Sequence, residues 1–471
     1  MENNGQKNLQ KKKVAIIGGG VAGSTIAMYL SKFDIEIDLF EQGTSLVNGP
    51  PICHLHAGGN LYREISDEQC IALLTESIQT AQFFPHSLNI RPTIIAVPKD
   101  DRAEASDLLP RLNLLQKHYQ QLIEQSKKNE VFGRPEDYFT TFTKQELFEI
   151  AKLEPTNQPR SMTEWMIPFA KTTDLEQIKY PVVIVQEYGL SVFRMASTAQ
   201  LILSEQSNVN LHLSSRVEKL NKQDNGSWFL SFSNSDTVTN CNFDYVINCA
   251  GFRTGIIDDL AQQQTKRLVE FKAAYVTHWN SDFFGKWPEV IFHGERGTPK
   301  GMAQLTPYPN GYFQLHGMTE EITLFKDGLS RSSELSSQPQ LPEKFINKIT
   351  NGWKESIQQE RTEKAIKHLS QFIASFETAS TAGKPLYGAQ QIPGDDITLR
   401  AATIDYDGHG YFRAEIVKAS SAIECAKQIA QQIKLSKEVN TLTQPSNDAV
   451  CHLAEQFAIE RGYPVELAQT Y

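Results

Sequence analysis

The sequence predicts an α/β protein in which a Rossmann-like, dinucleotide-binding domain with a parallel sheet is interleaved with a second domain built on an antiparallel sheet. Three observations predict this fold. The apolar run Val14–Ile17 leads into a glycine-rich turn and then into a helix with apolar residues at helical spacing. A second apolar strand, within 244–249, ends in Ala250-Gly251. Between residues 271 and 318, long alternating strands replace this pattern and predict the antiparallel sheet.

The glycine-rich turn has the pattern G-x-G-x-x-G between a strand and a helix, which is the context in which this pattern predicts dinucleotide binding. Gly18 permits the tight turn. Gly20 lets a pyrophosphate approach the backbone at the positive end of the helix, and Gly23 lets helix and strand pack closely. Ala22, in the same turn, is a further expected cofactor contact.

An acidic residue lies at the distance that the dinucleotide motif requires. Ile35–Phe40 alternates like a strand and ends at Glu41, roughly 20 residues after the turn. A carboxylate here suits two free ribose hydroxyls and would repel a 2′-phosphate. Gln42 is expected to contact the cofactor beside it. The alternative is an ordinary strand-turn-helix unit with a surface glutamate.

Composition and charge limit the class of protein. The chain has 471 residues, 40% hydrophobic content and a net charge of -9, and no basic patch points to nucleic acid. No apolar run of about 18 residues predicts a membrane span. The six cysteines contain no C-x-x-C pair, so no metal site is predicted. Scattered thiols favour a cytoplasmic location, with peripheral attachment to the inner membrane left open.

The element order predicts a discontinuous domain organisation. We expect a disordered leader over 1–13, a cofactor domain from 14–84, 186–264 and 385–437, a substrate domain from 85–185 and 265–384, and a C-terminal tail with a short helix over 438–471.

Two turn regions carry further candidate residues. The loop Gly49–Arg63 is too rich in Gly and Pro for a regular element, and it places His54 and His56 directly after the predicted ribose carboxylate. The alternative is a structural turn in which both histidines are merely hydrogen-bonded. The segment Asp407–Arg413 predicts a glycine-rich turn before a helix beginning near Ala414, whose amino terminus would face a negative charge.

Four separated blocks resemble the FAD-dependent oxidoreductases of the D-amino-acid oxidase superfamily. They are Val14–Gly23 with Glu41, Glu187–Val217, Asp244–Gly251, and Leu305–Glu320 with its Pro309-Asn310-Gly311 hairpin turn. The resemblance implies a FAD-binding domain of the glutathione-reductase type and FAD as the cofactor. It also implies a small amino or hydroxy acid as substrate, which gives a hydride to the flavin from its C–N or C–OH carbon. Oxygen or a quinone would then accept the electrons.

The resemblance also implies where the cofactor lies. Val217 is expected near the adenine, Gly58 along the cofactor, and Gly410 in a turn beside the flavin ring. His56 is placed like a histidine that is joined covalently to the flavin in some relatives. The full set of expected cofactor contacts is Gly18, Gly20, Ala22, Gly23, Glu41, Gln42, His56, Gly58, Val217, Ala250, Gly251, Gly410 and Arg413.

The chain departs from the family pattern at two positions. Gln390 to Asp395 stands where amino-acid oxidases carry an arginine that binds the substrate carboxylate, and the closest arginine is Arg400. Arg413 stands where a further glycine is expected, and a cation there would stabilise the reduced, anionic flavin.

Six residues are therefore the catalytic candidates. A histidine suits the base that an alcohol donor needs, and a cation suits the anchor for an anionic substrate. The candidates are His54, His56 and His316 as bases, and Arg400, Arg413 and Lys272 as anchors. The alternative for the three cations is solvated charge or a structural ion pair.

The sequence leaves other functions open. No second G-x-G-x-x-G motif indicates a nicotinamide cofactor, and no Gly-Asp-Ala pattern indicates a flavin hydroxylase. The alternatives are a flavin monooxygenase-like or tRNA-modifying flavoprotein, and a flavin-binding protein without turnover.

Overall fold

The computed structural model describes residues 11–51, 65–235, 237–280, 284–401 and 404–471. The strands in chain order are β1 (Lys12–Ile17), β2 (Ile35–Phe40), β3 (Leu88–Asn89), β4 (Thr93–Pro98), β5 (Phe139–Phe142), β6 (Ile178–Val185), β7 (Gly189–Leu190), β8 (Val209–His212), β9 (Ser215–Lys222), β10 (Trp228–Asn234), β11 (Thr237–Phe243), β12 (Tyr245–Asn248), β13 (Arg267–His278), β14 (Glu289–Phe292), β15 (Ala303–Pro307), β16 (Tyr312–Gly317), β17 (Leu329–Arg331), β18 (Ser380–Thr381), β19 (Leu386–Pro393), β20 (Ile404–Tyr406) and β21 (Tyr411–Ala414).

The helices are α1 (Val21–Leu30), α2 (Asp67–Phe83), α3 (Leu109–Gln125), α4 (Lys144–Ile150), α5 (Met162–Thr172), α6 (Val192–Glu205), α7 (Thr254–Leu260), α8 (Glu343–Asn351), α9 (Glu355–Ser370), α10 (Ala422–Gln432) and α11 (Asn447–Glu460).

A parallel sheet carries the predicted dinucleotide motif. Its strand order is β20-β21-β12-β1-β2-β8, and only the edge strand β20 runs antiparallel to its neighbour. The central strand β1 is a continuous apolar run because helices or strands cover both faces of the sheet. Val14 and Ile16 pack toward α1, while Ala15 and Ile17 pack under the antiparallel sheet β11-β10-β9. The predicted α/β fold is confirmed.

An antiparallel sheet forms the second domain. Its path is β17-β13-β16-β15-β14-β4-β6-β5, and β18 and β19 also pair with β13. The predicted hairpin turn lies between β15 and β16, and Asn310 and Gly311 have φ angles of +56° and +73°. Positive φ at both central residues is the geometry that favours Asn-Gly in tight hairpins.

The two faces of this large sheet have different neighbours. Ala273 and Tyr275 on β13 pack in one core cluster with helices α5 and α9. Ala274 and Val276, one residue along in each case, pack in the cluster that also contains Val14 of β1. Alternate side chains of a strand point to opposite faces. The second face, called the inner face below, is therefore turned toward the parallel-sheet domain.

The structure corrects three predicted boundaries. β1 begins at Lys12, inside the range 1–13 predicted as a leader, and residues 1–10 lie outside the described residues. β19 pairs with β13 over eight residues, so the antiparallel domain extends past the boundary predicted at 385. The segment after Gly410 is strand β21, and α10 begins only at Ala422.

The C-terminal segment contains a longer helix than expected. α11 has 14 residues and packs along α6 of the parallel-sheet domain. No helix of the described residues is long and apolar enough to cross a membrane. Five of the six cysteines lie in the described ranges, and all five are free thiols.

Candidate functional site

The glycine-rich turn comes directly after β1 and packs against the end of β12. Gly18 has a φ of +103°, and a Cβ on it would overlap the carbonyl oxygen of Cys249. A Cβ on Gly23 would overlap the carbonyl oxygen of Gly18. Both collisions involve backbone atoms, which cannot move aside as a side chain could. These glycines therefore provide the tight turn and the close packing of helix on strand that the motif requires.

Gly20, at the amino terminus of α1, leaves open space beside the backbone. A Cβ there would meet no described atom within 4 Å. The first turn of α1 contains Ala22, has no acidic residue and receives no hydrogen bond from a capping side chain at Gly20. The first N–H groups of a helix have no acceptor within the helix, and the helix dipole favours negative charge there. The residues present fit the pyrophosphate of a dinucleotide.

Glu41 faces this turn from the end of β2. Its two carboxylate oxygens accept hydrogen bonds from the backbone N–H groups of Gly19 and Gly43, both at 2.7 Å. A carboxylate oxygen has a second lone pair, so both can also accept from ribose hydroxyls. Gln42 is the next residue, and its Oε1 accepts a hydrogen bond of 2.8 Å from Nη1 of Arg253.

Arg253 is a cation that the sequence reasoning missed. Burial lowers its pKa, the nearby Arg216 lowers it further, and Glu41 opposes this change. It therefore lies in the electrostatic range of the predicted ribose carboxylate. Its position two residues after Gly251 was the available signal, since ligands bind at the carboxyl ends of parallel strands.

The remaining cofactor candidates near this edge come from β12 and β9. The N–H of Cys249 donates to the carbonyl of Ile17 at 2.8 Å, which brings Ala250 and Gly251 beside the glycine-rich turn. The N–H of Ser215 donates to the carbonyl of Glu41 at 2.8 Å, which places the start of β9, and Val217 within it, next to the acidic residue. The predicted contacts that the structure brings together are Gly18, Gly20, Ala22, Gly23, Glu41, Gln42, Val217, Ala250 and Gly251.

Gly410 lies at the opposite end of the parallel strands from the Gly18 turn, which argues against its predicted place beside the flavin. It precedes β21, and a Cβ on it would lie 2.8 Å from the carbonyl oxygen of Asp244, which precedes β12. Because β21 and β12 are parallel to β1, their amino ends lie far from the Gly18 turn. The cause is a hairpin: the side chain of Asp407 accepts from the N–H groups of His409 and Tyr411 and closes the turn from β20 to β21.

Arg413 lies in an ion-pair network, which argues against its predicted role at the flavin. Its Nε donates to Asp258 at 2.8 Å, and its Nη1 pairs with Asp405. Asp258 is fully buried and also pairs with Arg267 and accepts from the hydroxyl of Tyr411 at 2.6 Å. Arg413 is therefore committed to a buried network and presents no free charge to a ligand.

A second cluster of charged groups lies on the inner face of the large sheet. Lys272 Nζ lies 2.7 Å from Glu270 Oε2 and donates to Gln390 Oε1 at 2.8 Å. Arg296, from the loop between β14 and β15, pairs with the other oxygen of Glu270. Gln390 is in turn held by the carbonyl of Val417, to which its Nε2 donates at 2.8 Å.

The electrostatics of this cluster are dominated by positive charge. Burial lowers the pKa of Lys272 to about 8, although Glu270 opposes the change, and Arg296 and Arg400 lower it further. Lys272 therefore lies within electrostatic reach of both arginines, and it shares the carboxylate of Glu270 with Arg296. Nη1 of Arg296 is buried and has no hydrogen-bond acceptor among the described residues.

Of the other catalytic candidates, His316 and Arg400 lie in the described residues. His316 lies on β16 opposite Gln304 of β15, on the same inner face as Lys272. Arg400 donates from Nη1 to the carbonyls of Ile397 and Leu399 within its own loop. His54 and His56, together with the expected cofactor contact Gly58, lie outside the described residues.

A buried ion pair lies next to the inner face of the large sheet. Arg91 and Glu289 are both fully buried and pair with each other, and Gln304 donates to Glu289 from Nε2. This network fixes Gln304 beside His316. The sequence reasoning missed it, because the three residues are far apart in the chain.

A pocket of about 590 Å³ is lined by none of the residues of the cofactor edge or of the charged cluster around Glu270. It opens between the 100–102 turn after β4, the loop after β14, and the end of α9. The candidate substrate site is therefore the charged cluster on the inner face and not this cavity.

Comparisons with known proteins agree on the fold. No curated protein matches the chain. The solved structure of L-α-glycerophosphate oxidase from Mycoplasma pneumoniae is similar with a TM-score of 0.57 and 14% identity, covering 93% of this chain and 99% of that one. Glycine oxidase from Geobacillus kaustophilus is similar with a TM-score of 0.57 and 12% identity, covering 93% and 100%. L-proline dehydrogenase from P. horikoshii has a TM-score of 0.54 and 14% identity, covering 91% and 95%.

A family model covers most of the chain. Residues 13–388 match the DAO family, which is described as FAD dependent oxidoreductase. The matched range includes the glycine-rich turn, Glu41 and the β12 terminus, which together fit the dinucleotide. The chain therefore belongs to the DAO family of FAD-dependent oxidoreductases, and FAD is its cofactor.

Proposed function

We propose that the enzyme oxidises a small amino or hydroxy acid and that the cationic cluster on the inner face binds the acid group. FAD supplies the hydride acceptor in this chemistry. The observation that carries the proposal is the pairing of two cations, Lys272 and Arg296, with the single carboxylate of Glu270, while Arg400 acts on Lys272 electrostatically.

The chain's own residues have separate tasks in this proposal. Arg296 offers a carboxylate its Nη1 donor, which has no acceptor in the part of the chain that the structure describes, and guanidinium groups match the geometry of a carboxylate. Lys272 holds a proton at Nζ that is exchangeable near neutral pH, because its pKa is about 8. Gln390 and Glu270 keep the ammonium group of Lys272 in place.

Structural relatives support the substrate class. Glycine oxidase and L-proline dehydrogenase are named for amino acids, and L-α-glycerophosphate oxidase for a phosphate ester. All three substrates carry an anionic group. His316 is the described candidate base for an alcohol donor, and oxygen or a quinone is the proposed electron acceptor.

The test is anaerobic loss of flavin absorbance when the FAD-loaded protein meets amino acids, N-methylated amines and 2-hydroxy acids. One class should bleach the flavin. Arg296→Gln and Lys272→Met should then raise the substrate concentration for half-maximal bleaching by about tenfold or more, since charge-assisted hydrogen bonds are lost. In the wild type this concentration should rise as pH passes 8, because Lys272 loses its charge, and it should not do so in Lys272→Met.

Arg102→Gln is the matched control, because Arg102 is exposed and pairs with Glu295 beside Arg296. It should leave the half-maximal concentration unchanged. Bleaching by NADPH alone would move the enzyme to the monooxygenase-like or tRNA-modifying alternative. A flavin that no reductant of these classes bleaches would support a binding protein without turnover.

A further inference from the structure

A short loop after the ribose carboxylate holds the glycine-rich turn in place. The N–H of Val47 donates to the carbonyl of Gly19 at 2.8 Å. Leu46 lies over the same peptide, since a Cβ on Gly19 would be 2.8 Å from its Cδ2. Ser24 Oγ donates to the Gly19 carbonyl as well, at 2.8 Å. The middle of the turn is therefore fixed by the loop as much as by α1.

Val47 makes this contact in an unfavourable backbone conformation. Its φ is +51°, in the left-handed region, where a β-branched side chain is an outlier. Its side chain is 1% exposed. Such a conformation persists only where the surroundings hold it.

The C-terminal segment supplies the group that holds it. Arg461, directly after α11, donates from Nη1 to the carbonyl of Val47 at 2.8 Å and from Nη2 to the carbonyl of Leu46 at 2.9 Å. Nη2 also reaches Ser45 Oγ at 3.1 Å. The guanidinium lies over the ring of Phe457, 5.0 Å from its centroid, which fixes it against the helix.

We propose that Arg461 is a positioning residue for FAD. It holds the carbonyl of Val47, the N–H of Val47 holds the carbonyl of Gly19, and the Gly19 peptide orients the N–H donors after it toward the pyrophosphate. Arg461 lies beyond residues 13–388, which match the family. The inference rests on the cofactor site described above and does not depend on the substrate.

The experiment measures the dissociation constant of FAD for the deflavinated full-length protein by quenching of flavin fluorescence. Arg461→Gln should raise this constant by about tenfold, equivalent to the loss of one to two hydrogen bonds. Arg461→Lys keeps the charge and a single donor and should give an intermediate constant. The thermal midpoint of the apoprotein is recorded for each variant.

Replacement of the strained residue distinguishes positioning from general loss of stability. Glycine adopts a φ of +51° without a steric penalty. In the Val47→Gly background, Arg461→Gln should therefore change the FAD constant by only about twofold, so the double-mutant cycle shows coupling. An equal tenfold change in both backgrounds would overturn the proposal, as would an unchanged FAD constant in Arg461→Gln and Arg461→Lys.

Arg361→Gln is the matched control. Arg361, on α9, likewise donates to two backbone carbonyls: its Nη2 donates to those of Ile322 and Leu324 at 2.7 and 2.9 Å. It should lower the thermal midpoint of the apoprotein without raising the FAD constant. A rise equal to that of Arg461→Gln would also overturn the proposal. A wild-type protein that binds no FAD would contradict the cofactor assignment itself, which is a separate outcome.

Discussion

The glycines of the glycine-rich turn have different structural roles, although they belong to one motif. Gly23 faces the backbone of Gly18, whereas Gly20 faces open space. The motif predicted both glycines from sequence because their roles depend on a local strand-turn-helix geometry. The contact of Val47 with this turn was not predictable, because a valine with positive φ has no sequence signature.

Substitution of the two glycines should separate folding from cofactor binding. Gly23→Ala places a methyl group against a backbone carbonyl, so we expect a lower thermal midpoint and no FAD binding. Gly20→Ala should leave the thermal midpoint of the apoprotein unchanged and weaken FAD binding, because the methyl group enters the cofactor's space. Equal stability losses in the two variants would contradict this assignment.

A buried carboxyl on α2 should make stability depend on pH. Burial raises the pKa of Glu76 to about 7, although the hydrogen bond from Ser421 opposes this change. The folded protein therefore holds a proton that the unfolded chain releases near pH 4.5, and the stability that this proton contributes is lost as pH rises toward 7. Glu76→Gln keeps the hydrogen bond without the charge.

The thermal midpoint of Glu76→Gln, relative to wild type, should therefore be higher at pH 8 than at pH 5. Glu360→Gln serves as the control, because Glu360 is exposed on α9 and its pairing with Lys364 lowers its pKa. That variant should show no such gain at pH 8. A constant difference between Glu76→Gln and wild type over this range would show that Glu76 is ionised in the folded protein.

At the scale of secondary structure, the main error concerned the element after a glycine-rich turn. Asp407 to Gly410 was expected to precede a helix, but it closes the β20-β21 hairpin. Glycines with positive φ occur in both settings, and the four-residue strand β21 is too short for its apolar pattern to separate it from a helix start. This segment forms a strand because it pairs in parallel with β12.

Arg413 on that strand gives a direct test. Arg413→Met should lower the thermal midpoint, because Asp405 loses its arginine partner and Asp258 loses one of its two. The midpoint potential of bound FAD should stay unchanged, since the guanidinium is committed to these carboxylates. A more negative potential would restore the role that the sequence suggested.

At the scale of the whole molecule, one buried network joins the two domains. Asp258 on α7 pairs with Arg267, the first residue of β13, and with Arg413 on β21. Glu415 completes it through a 2.7 Å contact with Nε of Arg267. The network lies where the large sheet meets the parallel sheet, so it fixes the inner face relative to the cofactor edge.

Asp258→Asn should therefore destabilise the protein strongly. Loss of one partner leaves buried charge uncompensated, which costs about 3–5 kcal/mol of unfolding free energy. Asp137→Asn, in an exposed pair with Arg134, should cost less than about 1 kcal/mol. Thermal and denaturant unfolding would measure the free energy of unfolding that each variant loses. Equal losses would show that the buried network stabilises the protein no more than the exposed pair does.

Features that depend on residues close together in the chain could be predicted from the sequence. These are the dinucleotide turn with Glu41, the Asn310-Gly311 hairpin and the change from parallel to antiparallel strands, because turn geometry and side-chain alternation are local properties of the chain. The carboxylate partners of each cation became visible only in the folded chain. From the sequence, Arg413 and Lys272 were equal candidates for binding an anion. In the structure Arg413 pairs with the buried Asp258, whereas Lys272 shares the carboxylate of Glu270 with Arg296 on the inner face. Electrostatic partners are set by distances in space, and strand pairing creates those distances between residues that are remote along the chain.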